Sequence, residues 1–453
     1  MLTPNPSLPA HRGHTVLRTV LLSVVLLTGC RSVERGAAPT RAAAERIRSD
    51  IAYLADDRLE GRGTGTAGND SAAAWLARRH AELKTQPIIT ETARGSCPDV
   101  GSARCLTYDQ RFVARSAELA HAGKPDGLPT RNIVALVPGR DRSLAGREVV
   151  VIGAHFDHLG RSTSGALDPE ARDAIRNGAD DNASGTAAIL ELARRFAANP
   201  ARRGIVVVHF SGEELGLLGS QWFVQHSPVP TGGILAMLNF DMVGRLRNDR
   251  LIVYGTGTAR ELPVLLDSAN VEPKLKLNLV ADGFGPSDQS SFYARDIPVL
   301  HFFTDLHEDY HRATDDVEKI NAEGEARVVA LAERVVRAIA DRAEPLTPVH
   351  MAAAPTMSPS RQGSNAYLGT IPDMAAGDTP GLKLTGVRAG SPADKGGLAA
   401  GDVIVEFGGR EVKDLYTYSD ALYTHKPGEE VDVVYLRGGV RRTTKVTLGT
   451  RGQ

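Results

Sequence analysis

The chain has 453 residues, a formal net charge of −1, 42% hydrophobic and 24% charged residues. That length suits two or three domains of ordinary globular composition. With neither a basic nor an acidic excess, nucleic acid is not an expected partner.

The first thirty residues read as a targeting segment. Arg12 and Arg18 precede a short apolar run, Val20 to Leu27, too short to span a bilayer comfortably. The run leads into "LTGC", ending at Cys30, which resembles a bacterial lipobox. The resemblance implies a lipoprotein signal peptide over 1–29, lipidation at Cys30, a tether over 30–40, and membrane contact through the lipid anchor only. Arg31 rather than Asp follows, so retention in the inner membrane is not indicated. The expected location is the extracytoplasmic cell envelope, at the outer membrane or the periplasmic face. Cys97 and Cys105 lie in a short polar loop, where an oxidising compartment favours a disulfide between them.

From residue 41 the chain reads as folded. Ile47, Ile51 and Leu54 have helical spacing within 41–57. A second helix is predicted over "NDSAAAWLARRHAELK", capped by Asn69, Asp70 and Ser71. Residues 85–130 are polar and irregular. Then six short apolar runs appear, at 132–137, 148–155, 204–210, 234–240, 251–255 and 297–303, with amphipathic stretches such as "NASGTAAILELARRFAAN" and "ARVVALAERVVRAIADRA" between or after them. Buried strands alternating with helices predict an α/β fold with a mainly parallel sheet flanked by helices. Ligand sites in such sheets gather beyond the C-terminal ends of the strands. The Pro-, Ala- and Ser-rich stretch 344–364 reads as a linker, and 365–450 as a second, small α+β domain.

Histidines and carboxylates recur where the apolar runs end. His155, Asp157 and His158 follow the second run; Asp180 and Asp181 open the next helix; Glu213 and Glu214 follow the third run; Asp241 follows the fourth; Tyr310 and His311 follow the last. Imidazole and carboxylate are suitable zinc ligands. The set His155, Asp181, Glu214, Asp241 and His311 exceeds the three protein ligands of a single catalytic zinc. If Asp181 bridges, two metals receive three protein ligands each, and three carboxylates with one hydroxide balance the charge of two zinc ions. Two metals about 3.5–4 Å apart suit hydrolysis. The spacing of Asp157 lets it accept the other ring N–H of His155 and fix its tautomer. Asn182 and Ser184 open a helix whose positive end favours charged carboxylates at Asp181.

Together "AHFDHLG", "NGADDNASG", "FSGEELGLLGS", "NFDMVGR" and "DYHRATDDVEKI" resemble the secreted co-catalytic di-zinc aminopeptidases, with "LEGRGTGTAGND" also similar, over roughly 41–343. The resemblance implies two zinc ions and removal of N-terminal amino acids from peptide substrates. It implies His155 and Asp241 on one zinc, Glu214 and His311 on the other, Asp181 as the bridge, Glu213 as general base, and Tyr310 as an aid in polarising the scissile carbonyl. One departure is "SDQ" (Ser287, Asp288, Gln289), where the family often has "SDH". His209 and His301, inside apolar runs, read as satisfied core residues. Phe284, Phe302 and Phe303 are apolar residues that could line a substrate pocket.

The C-terminal unit resembles a PDZ domain of the bacterial protease-associated type, on "AYLGTIPDM" and "GSPADKGGLAAGDVI". Its Tyr367, Leu368, Gly369 and Thr370 would offer backbone N–H groups to a peptide C-terminus, with the peptide adding as a strand. Pro372 removes one donor from that edge. Two other readings are a related zinc carboxypeptidase or glutaminyl cyclase, and a PDZ-centred peptide-binding envelope lipoprotein.

Overall fold

The computed structural model describes residues 28–90, 106–349 and 366–450, apart from 117–118, 120–122, 169, 272–273, 373–380, 389, 414–416, 419–420 and 423. Residues 1–27 of the stretch read as a signal peptide, the Cys97–Cys105 pair and residues 350–364 of the stretch read as a linker lie outside the described residues. Cys30 is described through its backbone alone, within the helix Thr28–Leu54. That helix runs through the stretch read as a tether.

The strands of the first domain are β1 (Gln86–Pro87), β2 (Ile89–Thr90), β3 (Leu106–Thr107), β4 (Asp109–Ala114), β5 (Leu128–Val137), β6 (Val149–His155), β7 (Gly204–Phe210), β8 (Ile234–Phe240), β9 (Arg250–Tyr254), β10 (Lys276–Leu279) and β11 (Val299–Phe303). Nine of them form one sheet, ordered β1-β5-β7-β6-β8-β11-β9-β10 with β4 on β5. Its centre, β7-β6-β8-β11, is parallel. The flanking pairs β5–β7 and β9–β11 are antiparallel.

Every residue of β6 and β8 is buried, because helices cover both faces. Val150, Ile152 and Ala154 of β6 pack toward the helices Thr28–Leu54, Gly185–Ala198 and Ala322–Asp341. Val149 and Val151 face the helices Leu218–Gln225 and Gln289–Tyr293, represented by Phe223 and Phe292.

Two sequence expectations are corrected. The second helix spans Ala67–Glu82 and is capped by Thr66, whose side chain accepts from the Asn69 N–H. The polar region 85–130 contains β4, which pairs antiparallel with β5 along its whole length. Its alternating burial puts Gln110, Phe112 and Ala114 inside and leaves Arg111 and Val113 outside.

The second domain contains β12 (Ala366–Tyr367), β13 (Thr370–Pro372), β14 (Leu382–Val387), β15 (Val403–Phe407), β16 (Arg410–Glu411), β17 (Glu430–Arg437), β18 (Val440–Thr447) and β19 (Gly449–Thr450). The main sheet is β13-β14-β15-β17-β18. It closes on a separate core that includes Leu384, Ile404, Phe407 and Val433.

Candidate metal site

Four strand ends and one helix entry converge at the C-terminal edge of the parallel centre. His155 is the last residue of β6, and Asp241 directly follows β8. Glu213 and Glu214 lie in the loop after β7, and His311 in the loop after β11. Asp181 sits in an irregular turn, Ala179–Ser184, before the helix Gly185–Ala198. Gly178 makes that turn possible: its φ is +56°, and a Cβ there would stand 2.1 Å from the Asp181 carbonyl oxygen.

The five predicted ligands face one another. Asp181 Oδ1 lies 3.4 Å from His155 Nε2, and Asp181 Oδ2 lies 3.1 Å from His311 Nε2. Asp241 Oδ1 is 3.5 Å from His155 Nε2, and Glu214 Oε2 is 3.4 Å from His311 Nε2. One carboxylate therefore presents its two oxygens to two different imidazoles, each of which has a further carboxylate beside it. Glu213 Oε2 approaches the His155 end, 3.9 Å from Nε2.

The electrostatics call for cations. Burial opposes charge on His155, yet Glu213 and Asp241 raise its pKa well above the ordinary histidine value. His311 is pushed up to about 9, against burial, by Glu214 and Asp181. Burial works against the Asp181 carboxylate too, but the two imidazoles hold it well below the usual range. Asp241 Oδ1 is buried with no hydrogen-bond partner among the described residues, while Oδ2 accepts from Ser287 Oγ at 2.7 Å. Clustered carboxylate and imidazole donors with a free buried oxygen fit zinc, and among the described residues they gather in two groups, His155 with Glu213 and Asp241, and His158 with Asp181 and Glu214.

Asp157 does its work differently from expectation. The His155 Nδ1–H donates to the Asp157 main-chain carbonyl at 3.1 Å, while the carboxylate stands 3.8 Å away. The tautomer is fixed by the backbone. The Asp157 carboxylate instead accepts from Thr64 Oγ1 (2.7 Å) and from the Glu213 N–H (3.2 Å), so it anchors the loop that carries the glutamates.

Several neighbours had no assigned role in the sequence. His158 Nδ1 donates to Glu214 Oε1 at 2.8 Å, and its ring meets His311 edge-on at 5.7 Å. The only signal for it is the second histidine of "HFDH". Asp315 Oδ2 accepts from the N–H groups of Asp180 and Asp181, at 2.9 and 3.0 Å, and so sets the bridging turn. Ser287 reaches Asp241, and Gln289 accepts from Asn239 at 3.2 Å, so "SDQ" supports the site's floor without a histidine. Asp288 is fully buried, and burial pushes its carboxyl up to about 7.

Tyr310 stacks on His311 with ring centroids 3.9 Å apart and joins an apolar group with Met242 and Phe303. Phe302 stacks on Phe240 in the main core. Phe284 meets Tyr293 edge-on. His209 and His301 are buried as expected, but each has one ring nitrogen without a hydrogen-bond partner among the described residues. In the second domain, the Gly369 carbonyl accepts from the Arg388 N–H at 2.8 Å, and the Arg388 guanidinium reaches the Ala166 carbonyl of the first domain at 3.1 Å. Pro372 lies in β13, opposite Leu384 of β14.

Residues 132–336 match the model of peptidase family M28. Residues 364–448 match that of the PDZ domain. The chain is similar to leucine aminopeptidase 1 of Arthroderma otae, 30% identical over 167 residues, which is 35% of this chain and 39% of that protein. It thus spans well under half the length of that relative. Among solved structures, a Zn-dependent exopeptidase from Parabacteroides distasonis shares the fold at a TM-score of 0.51, with 19% identity, covering 66% of this chain and 98% of that one. A glutaminyl cyclase from Bacteroides thetaiotaomicron does so at 0.50, with 15% identity, covering 65% of this chain and 97% of that one. The M28-matching segment starts inside β5 and ends inside the helix Ala322–Asp341, so it contains all five candidate ligands and both glutamates.

Proposed function

We propose that this protein is a zinc-dependent metalloaminopeptidase that removes N-terminal amino acids from peptides, using two zinc ions per chain. The observation that carries this reading is the division of Asp181, with one oxygen toward His155 and the other toward His311. The match to peptidase family M28 and the similarity to a leucine aminopeptidase support the substrate class.

Bound there, zinc would supply a nucleophile at neutral pH and polarise the scissile carbonyl. The chain's own residues do the rest. Glu213 takes a proton from the attacking water and returns it to the leaving amine. Its burial, together with Glu214, Asp288 and Asp241, raises its proton affinity well above that of an ordinary glutamate, against the pull of His155. Asp157 holds the Glu213 backbone, and Tyr310 packs on the ring of His311.

The reading extends beyond the catalytic domain. Cys30 carries the lipid that holds the protein in the cell envelope, Cys97 and Cys105 form a disulfide, and Tyr367 to Thr370 receive the free C-terminus of a peptide. Fatty-acid labelling lost in Cys30→Ser, and a thiol count under non-reducing conditions, test the first two.

A peptide-library digest with mass readout, run with and without a chelator, tests the activity. Loss of single residues from the N-terminus, abolished by the chelator and restored by zinc, is the expected result. Aminoacyl p-nitroanilides compared with their N-acetylated forms separate this reading from other end specificities: cleavage of the acetylated forms alone overturns it. Cyclisation of N-terminal glutamine without hydrolysis would point instead to a glutaminyl cyclase.

A further inference from the structure

The turn "LEGRGTG" lies outside the M28-matching segment, yet it reaches the centre of the site. Its backbone is unusual: Glu60, Gly61 and Arg62 all have positive φ, at 46°, 67° and 52°. Gly61 lies against the chain segments it joins, since a Cβ there would stand 2.1 Å from the Arg176 carbonyl oxygen. The Arg62 side chain is fully buried. Among the described residues it makes no ion pair. Its guanidinium donates only to carbonyls: Nε to Phe156 at 2.7 Å, one terminal nitrogen to Leu54 and to Asn177 at 2.6 Å, the other to Gly178 at 2.9 Å.

Those acceptors are placed tellingly. Phe156 is the residue after His155, and Gly178 lies three residues before Asp181. The planar fork therefore ties the end of β6 to the turn that presents the shared carboxylate. Two residues on, Thr64 Oγ1 holds the Asp157 carboxylate, which in turn holds the Glu213 N–H. A buried guanidinium without an adjacent carboxylate is costly. Here Asp157, Asp181, Asp315 and Glu214 attract it across the site. Lysine could not reproduce the arrangement, because its donors radiate from one nitrogen rather than along a rigid fork.

We propose that this turn, through Arg62 and Thr64, is the positioning element of the metal centre, with Arg62 setting the separation of His155 and Asp181. The inference rests on the proposed metal site. Among the described residues the Arg62 side chain bonds only backbone carbonyls and Thr64 bonds Asp157, neither of them the side chain of a candidate ligand, so the effect is on geometry.

The test uses the full chain as Arg62→Lys, Arg62→Gln and Thr64→Val. Three quantities are measured: zinc affinity by chelator competition, the visible spectrum of the cobalt-substituted protein, and the melting temperature of the metal-free protein. Arg62→Lys and Arg62→Gln are expected to bind zinc about 10- to 100-fold more weakly, as for other outer partners of metal ligands, and to shift the cobalt spectrum. A merely structural role would lower the metal-free melting temperature while leaving zinc affinity and the cobalt spectrum as in wild type, and that result overturns the inference. Should both Arg62 variants fail to fold, Thr64→Val decides: an unchanged cobalt spectrum and unchanged kcat there overturn it, and a shifted spectrum with kcat lowered at constant KM upholds it. Wild-type protein that takes up no zinc overturns the metal-centre reading and this inference together. Wild type with two zinc ions and variants that match it overturn the inference alone.

Discussion

The buried pair His80–His209 makes the protein's acid stability calculable. Their Nε2 atoms lie 2.9 Å apart, and both rings are fully buried. The Thr85 hydroxyl donates to the His80 carbonyl at 3.0 Å and so accepts from His80 Nδ1–H at 3.4 Å, which leaves Nε2 to accept from His209. Burial, reinforced by the nearby Arg79 charge, pushes His80 down to about 3, and burial with His80 lowers His209 well below the ordinary value. Between the unfolded value near 6.5 and the folded value, the unfolded chain binds protons that the native state does not. Stability therefore rises with pH through that window; this contribution is complete above about 6.5 and is lost as pH falls from there toward about 3. Each histidine costs about 1.4 kcal/mol per pH unit, so at pH 5 His80 alone removes about 2 kcal/mol, and the pair at most about 4. That is a large share of a typical stability of about 5–15 kcal/mol. The assay is urea unfolding at pH 7 and pH 5, followed by tryptophan fluorescence, for wild type and for the double variant His80→Leu/His209→Leu. Replacing both partners by apolar groups of similar size is close to neutral at pH 7. The difference between the two proteins, in which zinc release and other titrations cancel, should move by about 2–4 kcal/mol in favour of the variant at pH 5. Parallel pH dependence of the two proteins would refute the reasoning.

Glu213→Gln keeps the side-chain shape but removes the proton acceptor. It should lower kcat by about 10²- to 10⁴-fold with zinc content unchanged, checked by steady-state kinetics and metal analysis; near-wild-type turnover would exclude the base assignment. Asp181→Asn replaces the carboxylate that faces both imidazoles, so zinc per chain, measured on dialysed protein, should drop below two, and retention of both ions would show that the two oxygens are not shared. Gly178→Ala puts a methyl group into the 2.1 Å approach to the Asp181 carbonyl at a positive φ, and should destabilise the fold by about 1–3 kcal/mol or more in a melting experiment.

The legible parts of the fold were those where burial is extreme. β6, β7 and β8 are covered on both faces, so their residues are near-continuous Val, Ile and Leu, and their ends could be placed within a residue. β4 and β10 lack a continuous run of buried apolar residues, so "DQRFVA" and "KLNL" look like loop. The five candidate ligands could be read because each follows an obvious strand or opens an obvious helix. Their supports could not. Arg62, Ser287 and Asp315 act through tertiary contacts 46 to 135 residues away in the chain, which no local pattern encodes. Asp157 shows the same limit on a small scale: two residues after His155 it lies within reach of the ring, but the turn aims the carbonyl, not the expected carboxylate, at it.

The adjacent glutamates show how one turn gives two identical side chains different surroundings. Gly212 has a φ of +79°, and the Glu213 carbonyl accepts from the Gly216 N–H at 2.8 Å, so the loop turns sharply between the end of β7 and the helix Leu218–Gln225. The turn sends the two side chains to different ends of the site. Glu214 meets His158 at 2.8 Å and His311 at 3.4 Å. Glu213 meets His155 at 3.9 Å, a looser approach, among three other acids: Glu214, Asp288 and Asp241. A tightly partnered carboxylate suits a ligand, and a buried carboxylate with raised proton affinity suits a group that must take up a proton and release it within one turnover.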